Sequence, residues 1–246
     1  MNLLVFAALF FPVMLSGLSV FLFKTSNRNL KILLAFSGAF LLSLSFLEIL
    51  PEIYTSKNAS NIGIFILIGF FIQLLLDFLT KGVEHGHEHV HCECKDTHHE
   101  HTKISPIPIL IGVCIHSFIE GMPLAENFHI PALKNTLLVG IVIHNIPISL
   151  VLISLLIQTK VNKLKSIILL SIFALAAPIG TLTSYFVGMS YVSNLNDFFD
   201  IIMALVVGIF LHISTTILFE TEENHKFNMV KFIAIIAGAS IPLIHL

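Results

Sequence analysis

Tryptophan is absent from this chain of 246 residues, and charged residues make up only 11% of it. Hydrophobic residues account for 56%, so the composition cannot supply the polar surface that a water-soluble domain of this length needs. Continuous apolar runs of about 20 residues, the length that crosses a bilayer as a helix, recur along the chain. The scarcity of charge therefore excludes a soluble domain and predicts an all-α, polytopic membrane protein.

Several functional motifs are also missing. The chain has no phosphate-binding loop of the Walker type, so direct use of ATP by this chain is excluded, and it has no H-E-x-x-H motif. We expect no enzymatic activity, no cofactor and no nucleic-acid partner, with an intramembrane metalloenzyme as a remaining alternative. Cysteine is sparse, with three residues, of which Cys114 lies in an apolar run and is interpreted as a packing residue.

The apolar runs predict eight spans in a single transmembrane domain covering residues 1–246, near 3–22, 31–50, 62–80, 104–125, 135–158, 166–190, 198–219 and 229–246. Eleven of the 13 Lys and Arg residues fall on one side of this map, and only Lys57 and Lys134 fall on the other. The positive-inside rule then makes the long connection 81–103 cytoplasmic and places both termini outside. We expect the bilayer of a bacterial inner (plasma) membrane, with no cleaved signal peptide.

The connection 81–103 carries a dense cluster of imidazoles and thiols: His85, His87, His89, His91, Cys92, Cys94, His98, His99 and His101. Imidazole and thiolate together suit Zn²⁺ and neighbouring transition metals. The alternating spacing differs from that of a fixed structural zinc site, so the pattern predicts a flexible chelator that buffers or senses metal. A solvated linker of biased composition is the alternative interpretation.

Ionisable residues inside a span are costly and indicate function. In "IHSFIEGMP" the side chains of His116 and Glu120 lie four residues apart and share one helix face, with Ser117 beside them. Gly121 and Pro123 are expected to loosen the helix one turn further on.

The next span repeats this combination in "VIHNIPISLVLI", with His144, Asn145 and a proline, Pro147, that is expected to open the helix. Two imidazoles and one carboxylate from two facing helices form a metal-ligand set with an open position. The alternative is that His116 and Glu120 form an internal pair that only holds helices together.

Other polar residues within the spans are less decisive. A divalent ion in a low-dielectric site needs carboxylates, and Asp77 or Glu48 is a candidate for a second one beside Glu120. Asp77 is equally compatible with a structural role at the inner interface, and Glu48 with a place at the entrance near Glu52. His212 is either a transient ligand or a partner in a helix–helix contact. Glycines in most spans permit close helix packing.

At these residues the chain resembles the ZIP (Zrt/Irt-like) family of divalent metal transporters. The fourth-helix motif of that family, H-N-x-x-D/E-G, fits "HSFIEG" through His116, Glu120 and Gly121. "HNIPIS" fits its fifth-helix pattern, "FLEILPE" resembles its H-L-L-P-E, and "LAAPIG" resembles its A-E-P-L-G. The resemblance implies eight spans, a His-rich loop between the third and fourth helices, a homodimer, and an elevator-like movement of one helix group against another.

The chain departs from the family's second-helix motif at Glu48 and, at the binuclear site that the resemblance implies, at Ser117, Asn145, Ile148, Ser149 and Ala177. One half of the site would consist of Ser117, Asn145 and Ala177, which are poor ligands, while the other half retains His116, Glu120 and His144. The resemblance therefore implies transport of Zn²⁺, with Fe²⁺, Mn²⁺ or Cd²⁺ as other substrates, through a site for one metal ion. A membrane protein that binds or senses metal without transporting it is the alternative.

Overall fold

The structure is a computed structural model that describes residues 3–23, 26–55, 59–80, 106–125, 131–192, 194–219 and 228–245. Nine α-helices lie within these ranges, and the ranges contain no strand: α1 Leu3–Ser19, α2 Asn27–Leu44, α3 Leu50–Tyr54, α4 Ala59–Thr80, α5 Pro106–Gly121, α6 Pro131–Gln158, α7 Lys163–Tyr191, α8 Leu195–Phe219 and α9 Met229–Ser240. The predicted all-α class is confirmed.

Within the part of the chain that the structure describes, six helical segments are long and apolar enough to cross a membrane: Asn27–Tyr54, Asn61–Thr80, Pro106–Leu124, Leu133–Gln158, Lys163–Tyr191 and Leu195–Leu218. The first and last predicted spans coincide with shorter apolar helices, α1 with 17 residues and α9 with 12. At a rise of 1.5 Å per residue α9 covers only about 18 Å of a core that is about 30 Å thick. A polytopic membrane architecture is confirmed, whereas the number eight stays a prediction.

A π-helical turn, Ser45–Ile49, joins α2 to α3. Its backbone widens because the Leu50 N–H donates to the Ser45 carbonyl, five residues back. Pro51 follows immediately and has no N–H to continue the ordinary ladder. The turn carries Glu48, and π-helical turns of this kind occur often at functional sites.

The helices form two groups by their closest packing. α4 packs mainly against α8, and α2 packs against α9 and α8. A Cβ atom added at Gly69 of α4 would overlap the Leu205 carbonyl of α8, so only glycine allows this close approach. These four helices are called the α2–α4–α8–α9 group.

The other group consists of α1, α5, α6 and α7. The buried residues of one hydrophobic cluster all come from these four helices. They include, in the order α1, α5, α6 and α7, Val13, Val113, Leu152 and Phe173. A larger cluster centred on α2 and α8 also takes residues from α1, α6 and α7 and so joins the groups. The groups meet where α5 contacts α4 and where α6 contacts α2. The polar residues of the predicted metal site lie on α5 and α6, at these contacts.

Candidate metal centre

Three buried side chains from α5 and α6 converge in the structure. His116 Nε2 lies 3.1 Å from Glu120 Oε1 along one turn of α5, and both side chains are fully buried. The His144 ring of α6 lies edge-on to the His116 ring, with the ring centroids 5.7 Å apart. One potential ligand atom from each of the three residues lies within 4.8 Å of the other two, which makes them the group within the described residues suited to a metal ion.

The end of α5 follows the sequence expectation. The α-helix stops at Gly121 and continues as a 3₁₀ turn, Met122–Leu124, so the predicted loosening at Gly121 and Pro123 is confirmed. The Gly121 carbonyl accepts a hydrogen bond of 2.8 Å from the hydroxyl of Thr181 on α7. This bond connects a buried carbonyl one residue after Glu120 to α7.

The expectation for Pro147 is wrong. α6 runs as one α-helix from Pro131 to Gln158 and does not open at Pro147. A proline removes one N–H from the ladder, and a helix held by its neighbours on several sides can tolerate that loss. His144 therefore lies within a continuous helix, three residues before the proline that lacks an N–H.

Two residues that were not predicted from the sequence lie within hydrogen-bond distance of Nδ1 of the two imidazoles. His116 Nδ1 lies 3.0 Å from Oε1 of Gln73 on α4, and His144 Nδ1 lies 3.3 Å from the hydroxyl oxygen of Ser37 on α2. Gln73 had a detectable signal as a polar residue in the apolar run "FFIQLLLDF". Ser37 had none, because serine is ordinary in membrane helices.

Asn145 and Ser117 lie beside the three central residues. Asn145 is buried, and its Nδ2 donates to Glu120 Oε2 at 3.4 Å. Ser117 is buried next to His116 on α5. Ala177, where the family carries a glutamate, lies at the α5–α7 crossing, and a Cβ atom at Gly121 would overlap its carbonyl oxygen. Glu120 is thus the carboxylate among the three convergent residues His116, Glu120 and His144, which are called the convergent group.

The structure does not bring Asp77 or Glu48 into that group. Asp77 lies in the last turn of α4, four residues beyond Gln73, and Glu48 lies in the π-helical turn. Both are partly buried, and their predicted roles stay predictions. His212 is buried in α8 with its ring 4.9 Å from that of Phe70 on α4, which favours the helix–helix contact.

The whole His-rich cluster, His85 to His101 with Cys92 and Cys94, lies outside the described residues. Glu52, the second candidate for the entrance, is an exposed residue of α3.

The fold and the site together define an integral membrane protein of helical bundle type with a buried histidine–carboxylate centre suited to a transition-metal cation. The family model described as ZIP Zinc transporter matches residues 81–245. Zinc transporter ZIP9 of Micropogonias undulatus is 26% identical over 202 residues, which cover 74% of this chain and 63% of that relative. The chain belongs to the ZIP zinc transporter family, and it spans less than two thirds of the length of the curated relative.

Proposed function

We propose that the chain carries a divalent cation, most favourably Zn²⁺, across the membrane into the cytoplasm through a single-metal site formed by His116, Glu120 and His144. The convergence of these three buried side chains carries the proposal. Family membership supports a divalent metal as the substrate. Fe²⁺, Mn²⁺ and Cd²⁺ are further candidate substrates because imidazole and carboxylate accept several divalent metals.

One ion, rather than two, fits the charge of the site. Two neutral imidazoles and Glu120 supply one negative charge, which leaves a bound divalent ion with a net charge of about +1 in a buried position. A second ion nearby would lack compensating carboxylates, since Asn145 and Ala177 occupy the positions where the family carries acids. Uncompensated charge in a low-dielectric site is strongly unfavourable.

The proposed route uses residues on both sides of this site. The ion passes Glu52 and Glu48, loses water to the three ligands, and leaves toward the histidines of 81–103, which lower free metal at the exit. The full proposal includes eight spans, outside termini, a bacterial plasma membrane and a homodimer. The division into two helix groups, with the ligands on one of them, supports an elevator-like movement.

A non-transporting metal binder is the second candidate. The hydrogen bond from Asn145 to Glu120 favours it, because this amide occupies one carboxylate oxygen. Such a protein would hold Zn²⁺ at the site without releasing it on the other side.

Uptake of ⁶⁵Zn²⁺ into proteoliposomes tests both candidates, with wild type beside the double variant His116→Ala/Glu120→Ala. Transport predicts uptake by wild type and none above empty liposomes by the variant. Zinc bound by wild type at one ion per chain without uptake by either protein would establish the non-transporting binder.

A matched control addresses the general effect of removing a buried histidine. His212→Phe removes an imidazole at the α4–α8 contact, outside the convergent group. We expect this variant to retain uptake. Equal loss in His212→Phe and in the double variant would contradict the assignment of the site.

A further inference from the structure

The hydrogen bond between Ser37 and His144 fixes the position of one proton. A serine hydroxyl has one proton to donate, and the Leu34 carbonyl, which can only accept, lies 3.0 Å from the Ser37 oxygen. His144 Nδ1 is farther away, at 3.3 Å. With the hydroxyl proton on the nearer Leu34 carbonyl, the Ser37 oxygen accepts from Nδ1 of His144.

Gln73 imposes the same arrangement on the other imidazole. Its Oε1, which is only an acceptor, lies 3.0 Å from His116 Nδ1, and the Gln73 side chain is fully buried. Nδ1 of His116 is then the donor, and Nε2 faces Glu120 Oε1. Nε2 of both rings and the carboxylate point toward one position between α5 and α6.

We infer that Gln73 and Ser37 are positioning residues that hold a proton on Nδ1 of both imidazoles, so that Nε2 of each ring is the metal-binding atom. The inference rests on the proposed function for its consequence, tighter metal binding. Partners of this kind orient a ligand ring and raise its basicity, and their loss typically weakens metal affinity 10–100-fold.

The two positioning bonds also cross the boundary between the helix groups. The ligands lie on α5 and α6, whereas Gln73 lies on α4 and Ser37 on α2. A carrier has to present its site to the two sides of the membrane in turn. A shift of α5 and α6 by roughly 1 Å away from α4 and α2, along these bonds, lengthens both of them beyond useful hydrogen-bond distance. Affinity is then highest in the arrangement described here and falls as the groups slide.

Three substitutions separate this role from simple packing. Gln73→Met keeps the length of the side chain and removes the acceptor, and Ser37→Ala removes the hydroxyl. Each is expected to weaken Zn²⁺ binding about tenfold or more. Ser37→Thr keeps the hydroxyl and is expected to retain wild-type affinity. Ser45→Ala is the control. Ser45 is an equally buried serine in the π-helical turn that follows α2, and its hydroxyl bonds only to the Leu41 carbonyl.

The first readout is the tautomer itself. ¹⁵N chemical shifts of histidine-labelled, metal-free protein in detergent distinguish an Nδ1–H from an Nε2–H ring, and His116→Ala and His144→Ala assign the signals. Wild type, Ser37→Thr and Ser45→Ala should show the Nδ1–H form of His144. Ser37→Ala should show a mixture for His144 alone, and Gln73→Met a mixture for His116 alone.

The second readout is Zn²⁺ affinity by competition with a chelating dye, for variants that elute as wild type on size exclusion. Unchanged tautomers, or unchanged affinity, in Gln73→Met and Ser37→Ala would overturn the inference while leaving the proposed function intact. Tautomers that shift as expected in a wild-type protein that binds no zinc would support the positioning and overturn the proposed function.

Discussion

His116 Nε2 and Glu120 Oε1 face each other at 3.1 Å within one turn of α5, and both side chains are completely buried. An imidazole nitrogen and a carboxylate oxygen at this distance repel each other unless a proton or a metal ion lies between or beside them. His144 brings a third such atom from α6. A proton or a metal cation at this point therefore relieves the repulsion among the three atoms.

Glu120→Gln should abolish uptake and zinc binding at the His116–Glu120–His144 site. The substitution preserves the shape of the side chain but removes the carboxylate of the group, and loss of one partner from a buried charge pair costs roughly 3–5 kcal/mol, or at least about 100-fold in affinity. Zinc competition titrations and ⁶⁵Zn²⁺ uptake measure the effect. Asp197→Asn, in the first turn of α8, is the charge-matched control. Affinity within threefold of wild type in Glu120→Gln would exclude Glu120 as a ligand.

Asn145→Asp should make folding stability depend on zinc. Asn145 Nδ2 lies 3.4 Å from Glu120 Oε2, so an aspartate there places two carboxylates side by side in a buried site. Their repulsion should lower Tm in chelator, and zinc should restore it while binding about tenfold more tightly than to wild type. Thermal unfolding with and without Zn²⁺ measures both effects. Asn162→Asp, which keeps the side-chain acceptor that caps α7, should respond to zinc and chelator only as much as wild type does.

Gly121→Ala should destabilise the protein and displace the ligand-bearing turn. An added Cβ atom would overlap the Ala177 carbonyl of α7, and a backbone atom cannot move aside as a flexible side chain does. Overpacking of this kind typically costs 1–3 kcal/mol, visible as a lower Tm. Gly63→Ala is the matched control, because the nearest atom to a Cβ there is the Tyr54 hydroxyl at 3.8 Å. We expect Gly63→Ala to be neutral or slightly stabilising, and similar Tm values for the two variants would contradict the prediction.

Thr181→Val should lower stability through one hydrogen bond. The Thr181 hydroxyl lies 2.8 Å from the Gly121 carbonyl and 3.1 Å from the Ala177 carbonyl of its own helix, and valine keeps the shape but removes the bond between the helices. The expected cost is about 0.5–1.5 kcal/mol. Thr183→Val, two residues along α7, removes an exposed hydroxyl that bonds only within its own helix to the Ile179 carbonyl. Chemical unfolding should separate the two variants, and equal midpoints would show that the Gly121 bond contributes little.

The convergent group was predictable because its parts are local. His116 and Glu120 share a face through the four-residue spacing of a helix, and burial of charged residues among apolar ones marked the span as functional. His144 was identified by the resemblance and by a second His–Pro element. Their meeting in space needed α5 and α6 to contact each other, and helix spacing alone does not determine which helices become neighbours.

Other features were missed for identifiable reasons. The π-helical turn at Ser45–Ile49 depends on which carbonyl the Leu50 N–H reaches, and one proline in the sequence is compatible with several outcomes. At Pro147 the expected break did not occur, since a single missing N–H is tolerated within a packed helix. Gln73 carried a weak signal, and Ser37 carried none.

The sequence by itself determined the helical membrane class, the candidate ligand residues on α5 and α6, and the single carboxylate among them, because composition and helical periodicity are local properties. The tertiary structure decided which polar side chains on α2 and α4 face the imidazoles, and therefore which nitrogen of each ring is directed inward. These contacts join residues more than 40 positions apart in the chain, at separations |i−j| of 43 and 107, and they exist only because the two helix groups pack in one particular register.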